Sequence, residues 1–169
     1  MNAATYQILI IDDEVEILNA LSRLLREPGY VIRRASSAAE ALAVSDQTSL
    51  DLIISDYMLG PDINGIQLLE KLLDKQKDAL CILITGYADM QVAMEAINTI
   101  GLYKFILKPW DNNDLIITVR RALEQRALIQ ENRRLVSELR RRESVLEQLE
   151  KEHPGITKIR RNAKGLIEI

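Results

Sequence analysis

The chain has 169 residues, of which 47% are hydrophobic and 28% are charged, and its formal net charge is −3. These values are typical of a soluble globular protein with one domain and an appendage. No apolar run approaches the roughly 20 residues of a membrane span, and the N-terminus lacks the basic and apolar regions of a signal peptide. We therefore expect a cytoplasmic protein without a membrane segment, and the single cysteine, Cys81, fits a reducing compartment. With His153 as the only histidine, a histidine-based zinc site or a Ser-His-Asp triad is implausible.

Five short apolar runs alternate with segments whose apolar residues recur at helical spacing. The runs have the length of buried strands and lie at Ile8–Ile11, Tyr30–Ile32, Leu52–Ile54, Leu80–Ile84 and Tyr103–Leu107. Between them, apolar residues three and four positions apart predict helices, the first from Val15 to Leu25 and ending before Pro28. This alternation predicts an α/β fold, a doubly wound parallel sheet with helices on both faces.

Polar side chains stand at the carboxyl ends of four of these runs. Asp12 and Asp13 follow the first run, Asp56 follows the third, Thr85 ends the fourth and Lys108 follows the fifth. One acid after the first run could stabilise the N-terminus of the next helix, but Asp12, Asp13 and Glu14 are three acids in a row, more than this role requires. Because parallel strands all point the same way, we expect these side chains to converge at one edge of the sheet.

The chemistry of this set favours phosphoryl transfer. Clustered carboxylates resist ionisation unless a cation is supplied, and Mg²⁺ takes oxygen ligands while leaving positions for phosphate oxygens. Lys108 supplies a positive charge and Thr85 a hydroxyl, both of which suit a phosphoryl group. An aspartate between metal and lysine can itself accept the phosphoryl group as an acyl phosphate.

Four motifs, in this order, resemble those of response-regulator receiver domains of two-component signalling: "IIDDE" at 10–14, "SDYM" at 55–58, "ITGYAD" at 84–89 and "KPWD" at 108–111. The resemblance covers about residues 5–125 and implies a flavodoxin-like sheet of five parallel strands in the order 2-1-3-4-5. It implies that Asp56 accepts phosphate from the phosphohistidine of a sensor histidine kinase. The chain would then be a phosphoacceptor signalling protein and not an enzyme.

The resemblance also implies the ligands of the metal. Asp13, Asp56 and the backbone carbonyl of Met58 would bind Mg²⁺, and Asp12 would help directly or through water. One departure from the family pattern lies beside these residues, because the loop from Asp56 to Gly65 is one residue longer than usual. We expect this loop to alter the geometry near the metal and the lifetime of the acyl phosphate.

The resemblance further implies a switch. Thr85 would move toward the phosphoryl group, Lys108 would pair with it, and the Lys108–Pro109 bond would be cis. Phe105 occupies the place of an aromatic residue that often swings inward on activation, with a static core position as the alternative. The stretch "NTIGLYKF" is one residue longer than the usual family spacing, as in the family branch whose fifth strand ends in Lys-Pro-Trp-Asp.

The last helix is predicted to be unusually long. Asp111 is placed to cap it, and no glycine or proline follows before Pro154-Gly155, so it could run for about 40 residues, roughly 60 Å. We expect three parts in the chain: a receiver domain at 1–124, a coiled-coil extension at 125–153 and a short hairpin-like tail at 154–169.

The extension carries a seven-residue repeat. Position d holds leucine except for Arg142, and position a includes the polar residue Asn132, which can fix register in two-stranded coils. The d row is Leu128, Leu135, Arg142 and Leu149, and the a row is Gln125, Asn132, Leu139 and Leu146. This pattern predicts a homodimer through residues 125–152, with packing against another protein as the alternative.

The charge of the extension gives little support for DNA binding. Residues 1–111 carry a net charge of −7 and residues 112–169 a net charge of +4. No helix-turn-helix pattern follows the basic run "RRRE", so a solvated helix face is the better interpretation and DNA is an unlikely partner.

These patterns together predict a phosphorylation-controlled switch whose receiver domain changes self-association or binding of an unknown downstream protein by the C-terminal helix. Alternatives are a phosphate-independent dimeric scaffold or adaptor and the receiver fragment of a larger regulator. A weaker alternative is a Mg²⁺-dependent phosphohydrolase that uses Asp56 in turnover.

Overall fold

The computed structural model describes residues 5–156. Its five strands are all parallel and lie in the order β2-β1-β3-β4-β5. They are β1 (Tyr6–Ile11), β2 (Tyr30–Ala35), β3 (Leu52–Asp56), β4 (Leu80–Thr85) and β5 (Lys104–Leu107). The helices are α1 (Val15–Leu24), α2 (Ala38–Gln47), α3 (Gly65–Lys75), α4 (Met90–Thr99) and α5 (Asn112–Glu152). The predicted fold class and strand order are confirmed, and each predicted strand is found within a few residues of its expected bounds.

The strands are buried on both faces because their side chains alternate between two aliphatic cores. Ile8 and Ile10 of β1 pack with α1 and α5 on one face, whereas Leu9 and Ile11 pack with residues of α2 and α3 on the other. Cys81 belongs to the second core and is buried, as expected for a small hydrophobic residue. The rigid sheet therefore fixes the positions of the groups that follow its strands.

Helix α5 begins where the sequence predicts. The Asp111 side chain accepts a hydrogen bond from the backbone N–H of Asp114 at 3.0 Å, which caps the first turn. The helix has 41 residues and ends at Glu152, just before Pro154 and Gly155, and Gly155 has φ +93°. The predicted length is confirmed, since proline cannot continue the helix and a left-handed φ suits glycine.

The chain divides into two compact units, Met1–Ala127 and Leu128–Ile169. The first contains the sheet. Within the described part of the second, helix α5 continues to Glu152 and most of its large apolar side chains are exposed, Leu128 to 71%. The coiled coil predicted for 125–153 stays a prediction, and most of the hairpin predicted for 154–169 lies outside the described residues. Within residues 5–156, none of the helices combines the length and the apolar character needed to cross a bilayer.

Candidate functional site

The strand register brings the predicted site residues to one edge of the sheet. Ile11 lies opposite Ser55, so Asp12, which follows β1, and Asp56, the last residue of β3, are neighbours. Two backbone hydrogen bonds extend the ladders beyond the strands: Tyr57 N–H donates to the Ile84 carbonyl and Lys108 N–H to the Thr85 carbonyl, each at 2.8 Å. The carboxyl edge of four strands thus holds the acids, the hydroxyl and the lysine together.

Three carboxylates and one ammonium group form the centre of this site. Asp12, Asp13 and Asp56 each offer a carboxylate oxygen, and these three oxygens lie within 4.8 Å of one another. The Nζ of Lys108 is 3.0 Å from Asp56 Oδ1 and 3.8 Å from Asp12 Oδ2. The Lys108–Pro109 peptide bond is cis, as the resemblance implied. The centre has more negative charge than one lysine can balance.

Burial makes this excess of negative charge costly. Asp12 is only 1% exposed, and burial, with the nearby charges of Asp56 and Asp13, raises the pKa of Asp12 to about 6 although Glu14 N–H donates to it. Burial also raises the pKa of Asp56 above its usual value, against the hydrogen bond and charge of Lys108. Burial alone lowers the pKa of Lys108, but its hydrogen bond and ion pair with Asp56 outweigh burial, so the net shift is upward.

The arrangement fits a hard divalent cation. Asp12 Oδ2 is buried and has no hydrogen-bond partner among the described residues, whereas Asp12 Oδ1 accepts from Glu14 N–H at 2.8 Å. An unpartnered buried carboxylate oxygen beside two further carboxylates is a set of donors that Mg²⁺ or a similar ion accepts. Asp12, Asp13 and Asp56 are therefore the residues that could hold it.

Gly65 shapes the loop beside Asp56. A Cβ atom on Gly65 would lie 2.1 Å from the carbonyl oxygen of Asp56, a distance at which no side chain fits. The same close approach lets Gly65 N–H donate to the Tyr57 carbonyl at 2.7 Å. Asn64 then begins α3 with a reciprocal capping box that includes Gln67. The longer loop thus closes back on Asp56 through a glycine that sequence reasoning used only for spacing.

Comparison with known proteins identifies the family of this chain. The profile of the response regulator receiver domain matches residues 8–120, which is more than half of the sequence. The chain belongs to this family. A receiver domain is thereby established for the region that contains the carboxylate cluster, and a sensor histidine kinase is the kind of partner that this family implies.

Relatives of this receiver domain include two longer bacterial regulators. One is the C4-dicarboxylate transport transcriptional regulatory protein DctD of Rhizobium meliloti, which is 35% identical over 79% of this chain and 28% of its own length. The other is the hydrogenase transcriptional regulatory protein HoxA of Cupriavidus necator, 36% identical over 83% of this chain and 29% of its own length. The chain therefore spans less than a third of either relative.

A solved structure supports the same family. The signal receiver domain of an HD domain-containing protein from Pseudomonas fluorescens Pf-5 is 32% identical to this chain and superposes with a TM-score of 0.68. The match covers 73% of this chain and 98% of that domain. The likeness therefore concerns the receiver fold and leaves the rest of this chain without a counterpart there.

The other predicted site residues of the receiver domain lie around the carboxylates. Thr85 is fully buried at the end of β4, and its hydroxyl donates only a long hydrogen bond, 3.4 Å, to the Gly86 carbonyl. Phe105 is half-buried in β5 and packs against the core. Met58 follows Asp56 by two residues and has an exposed side chain. The functional roles of these three residues stay predictions.

Sequence reasoning missed a buried ion pair at the opposite edge of the sheet. Arg126 of α5 is 3% exposed, and its Nε lies 3.5 Å from Asp51 Oδ1, while Asp51 Oδ2 accepts from Gln7 N–H at 2.9 Å. The signal was present in the spacing of the helix. Leu115, Val119 and Ala122 are buried, and position 126 continues their stripe four residues on.

Proposed function

We propose that this chain is a phosphoacceptor switch of a two-component phosphorelay. In this proposal, Asp56 accepts a phosphoryl group from a sensor histidine kinase in a Mg²⁺-dependent reaction in the cytoplasm. The phosphorylated state then changes self-association or partner binding of residues 125–152. The observation that carries the proposal is the cluster of three carboxylates, with Asp12 and Asp56 buried and Asp13 exposed, facing Lys108 in a chain that belongs to the receiver domain family.

The proposed transfer step moves one phosphoryl group between two protein side chains. A carboxylate oxygen of Asp56 attacks phosphorus, a new O–P bond forms, and the N–P bond of the kinase's phosphohistidine breaks. The electron pair of the broken bond returns to the imidazole of the kinase. Asp56 is suited to this role because its Oδ1 is already held 3.0 Å from Lys108 Nζ, which orients the carboxylate.

The neighbours of Asp56 would stabilise the charge that accumulates during transfer. The positive charge of Lys108 would attract the phosphoryl oxygens. The Thr85 hydroxyl, whose hydrogen bond to the Gly86 carbonyl is 3.4 Å long, could turn toward the same oxygens. When bound by Asp12, Asp13 and Asp56, Mg²⁺ would neutralise charge on the phosphoryl oxygens. In the proposed switch, Phe105 follows Thr85 inward.

The intact mass of the protein after incubation with Mg²⁺ and acetyl phosphate tests this chemistry. We expect one phosphoryl group on the parent chain and none on Asp56→Asn, a variant that keeps the size of the side chain. Ser55→Ala is a matched control, because Ser55 is a buried neighbour that donates only to the Asp56 carbonyl. A phosphoryl group on Asp56→Asn, or none on the parent chain, would overturn the proposal.

The helical extension supports self-association as the output that we propose. Its leucines are exposed at the a and d positions of the heptad, including Leu135 at 47% and Leu139 at 58%. Arg142 is the polar residue at a d position. Its Nη2 donates to Glu138 Oε1 of the same helix at 2.8 Å, so its charge is paired within the helix. A second copy of the helix would cover these leucines.

Sedimentation of the full chain tests this output. Leu139→Asn places a polar group at position a, whereas Ser137→Asn changes an exposed residue at the outer position f and serves as the control. We expect only Leu139→Asn to weaken the dimer, and we expect phosphorylation to change the dimer fraction of the parent chain. Equal sedimentation of both variants would contradict a coiled-coil dimer.

A phosphate-independent scaffold is the second candidate, favoured by the exposure of the leucine rows. It predicts the same dimer with or without Mg²⁺ and acetyl phosphate, and in Asp56→Asn as in the parent chain. A third possibility is that the receiver acts as part of a larger regulator, since it spans less than a third of the two relatives described above. The downstream partner would then be supplied by that regulator.

A further inference from the structure

A basic groove lies between α1 and the edge strand β2, away from the carboxylate cluster. It encloses about 500 Å³, within the range of small-molecule sites. Its lining residues are Asn19, Ser22, Arg23, Arg26, Ile32 and Arg34. None of them belongs to the proposed phosphoacceptor site, so the groove requires a separate explanation.

The groove follows from the geometry of the two elements. Asn19, Ser22 and Arg23 are three and four residues apart and share one side of α1, and Arg26, two residues past the end of α1, lines the same groove. Ile32 and Arg34 are two residues apart on β2 and therefore share the face of the sheet that packs against α1. Since β2 is the outermost strand, this side of α1 has no further strand to cover it.

Three guanidinium groups line the groove without a matching acid. Among the described residues, Arg23, Arg26 and Arg34 form no ion pair, although residues 1–111 carry a net charge of −7. Arg34 Nη1 donates to Asn19 Oδ1 at 2.7 Å and Arg23 Nε to the Asn19 carbonyl at 3.3 Å. These two bonds anchor the side chains at Asn19 and leave most of their N–H donors available.

Ser22 is a further polar residue that lines the groove. Its Oγ atom is buried and has no hydrogen-bond partner within the described part of the chain. The lining thus combines three arginines with a hydroxyl group that lacks a partner.

We propose that this groove binds a small molecule that carries a diphosphate group. Guanidinium groups match phosphate oxygens with paired hydrogen bonds, and several of them together favour a ligand with more than one phosphate. A nucleic acid is disfavoured, because the net charge of −7 on residues 1–111 would repel an extended polyanion.

A titration of the full chain with sodium pyrophosphate, followed by amide NMR shifts, tests the proposal. The solution contains no divalent metal, and sodium chloride holds the ionic strength constant. We expect saturable shifts at the amides of residues 19–26 and 32–34. Arg26→Gln and Arg34→Gln should each weaken binding about tenfold, since each removes charged hydrogen bonds.

Arg33→Gln is the matched control for Arg34→Gln. Arg33 is adjacent on β2 but points to the opposite face, where its Nε donates to Gln7 Oε1 at 3.2 Å. We expect Arg33→Gln to bind pyrophosphate like the parent chain and orthophosphate to bind more weakly than pyrophosphate. ADP serves as a second probe, and tighter binding than pyrophosphate would support a nucleotide as the source of the diphosphate.

Three results would overturn the proposal. One is the absence of saturable shifts up to about 10 mM pyrophosphate. Another is equal weakening by Arg33→Gln and Arg34→Gln, which would indicate only a general effect of charge. The third is a set of shifts confined to the surroundings of Lys108, which would place the anion in the phosphoacceptor site instead.

Discussion

Two groups of charges, each with buried members, lie at opposite edges of the same sheet, and they differ in the balance of positive and negative charge. At the carboxyl edge, Asp12, Asp13 and Asp56 face a single lysine, Lys108. At the amino edge, one aspartate, Asp51, faces one arginine, Arg126. Both groups are held by the strands of the receiver domain, so the fold itself does not explain the difference between them.

The difference indicates which of the two groups could bind a cation. In the balanced pair the two charges offset each other and hold α5 against the sheet, although Nε and Nη1 of Arg126 have no hydrogen-bond partner among the described residues. Buried carboxylates in excess of the nearby positive charge destabilise the metal-free protein, and either protonation or a bound cation relieves that cost. The energy of the unbalanced group therefore depends on its protonation and on any cation that binds there.

The largest effect that we expect is at the balanced pair. Asp51→Asn keeps the acceptor for Gln7 N–H but leaves the charge of Arg126 buried and unpaired, with its side chain only 4% exposed. We expect the free energy of unfolding, measured with urea, to fall by about 3 kcal/mol. Arg126→Met should cost less, because Asp51 keeps its bond to Gln7 and is 14% exposed.

The double variant Asp51→Asn, Arg126→Met completes the test. If the two residues act as a pair, Asp51→Asn should cost little once Arg126 is methionine. Additive losses in the double variant would show that Asp51 and Arg126 stabilise the protein independently of each other.

The next effect has the opposite sign and lies at the unbalanced group. Burial raises the pKa of Asp12 from its ordinary 3.8 to about 6, so the folded state holds a proton that the unfolded state releases between these values. Stability is therefore lost as the pH rises through about 6. In metal-free buffer at about pH 8, Asp12→Asn should increase the free energy of unfolding by about 2 kcal/mol.

The pH dependence separates this cause from a general effect of the substitution. The gain from Asp12→Asn should disappear at about pH 4, where Asp12 is protonated in the folded state. A gain that is the same at both pH values would mean that the charge of Asp12 is not the source of the instability.

These two groups also show which features of the site could be predicted from the sequence and which could not. The carboxylate cluster was predictable because each member ends a strand, and parallel strands bring their ends together whatever the residues between them. The Asp51–Arg126 pair was missed because an arginine on a helix is normally solvated, and only the buried stripe of α5 indicates otherwise. The closeness of Gly65 to the Asp56 carbonyl depends on the path of a loop, which no periodicity reports.

Addition of Mg²⁺ should act on one group alone. At a Mg²⁺ concentration ten times the Kd, the free energy of unfolding of the parent chain should rise by about 1.4 kcal/mol. Asp51→Asn should gain the same amount, because its metal site is intact, whereas Asp12→Asn should gain less. Equal gains in both variants would exclude Asp12 from the metal site.

The smallest effect should come from an exposed ion pair whose N–O distance is shorter than that of the buried Asp51–Arg126 pair. Arg120 Nη2 lies 3.0 Å from Glu27 Oε1, the distance that also separates Lys108 from Asp56, but the two side chains are 53% and 40% exposed. Water screens this pair, so Glu27→Gln should change the free energy of unfolding by less than about 0.5 kcal/mol. A loss as large as that of Asp51→Asn would mean that burial does not decide the energy of ion pairs in this protein. Urea unfolding of both variants in the same buffer gives that comparison directly.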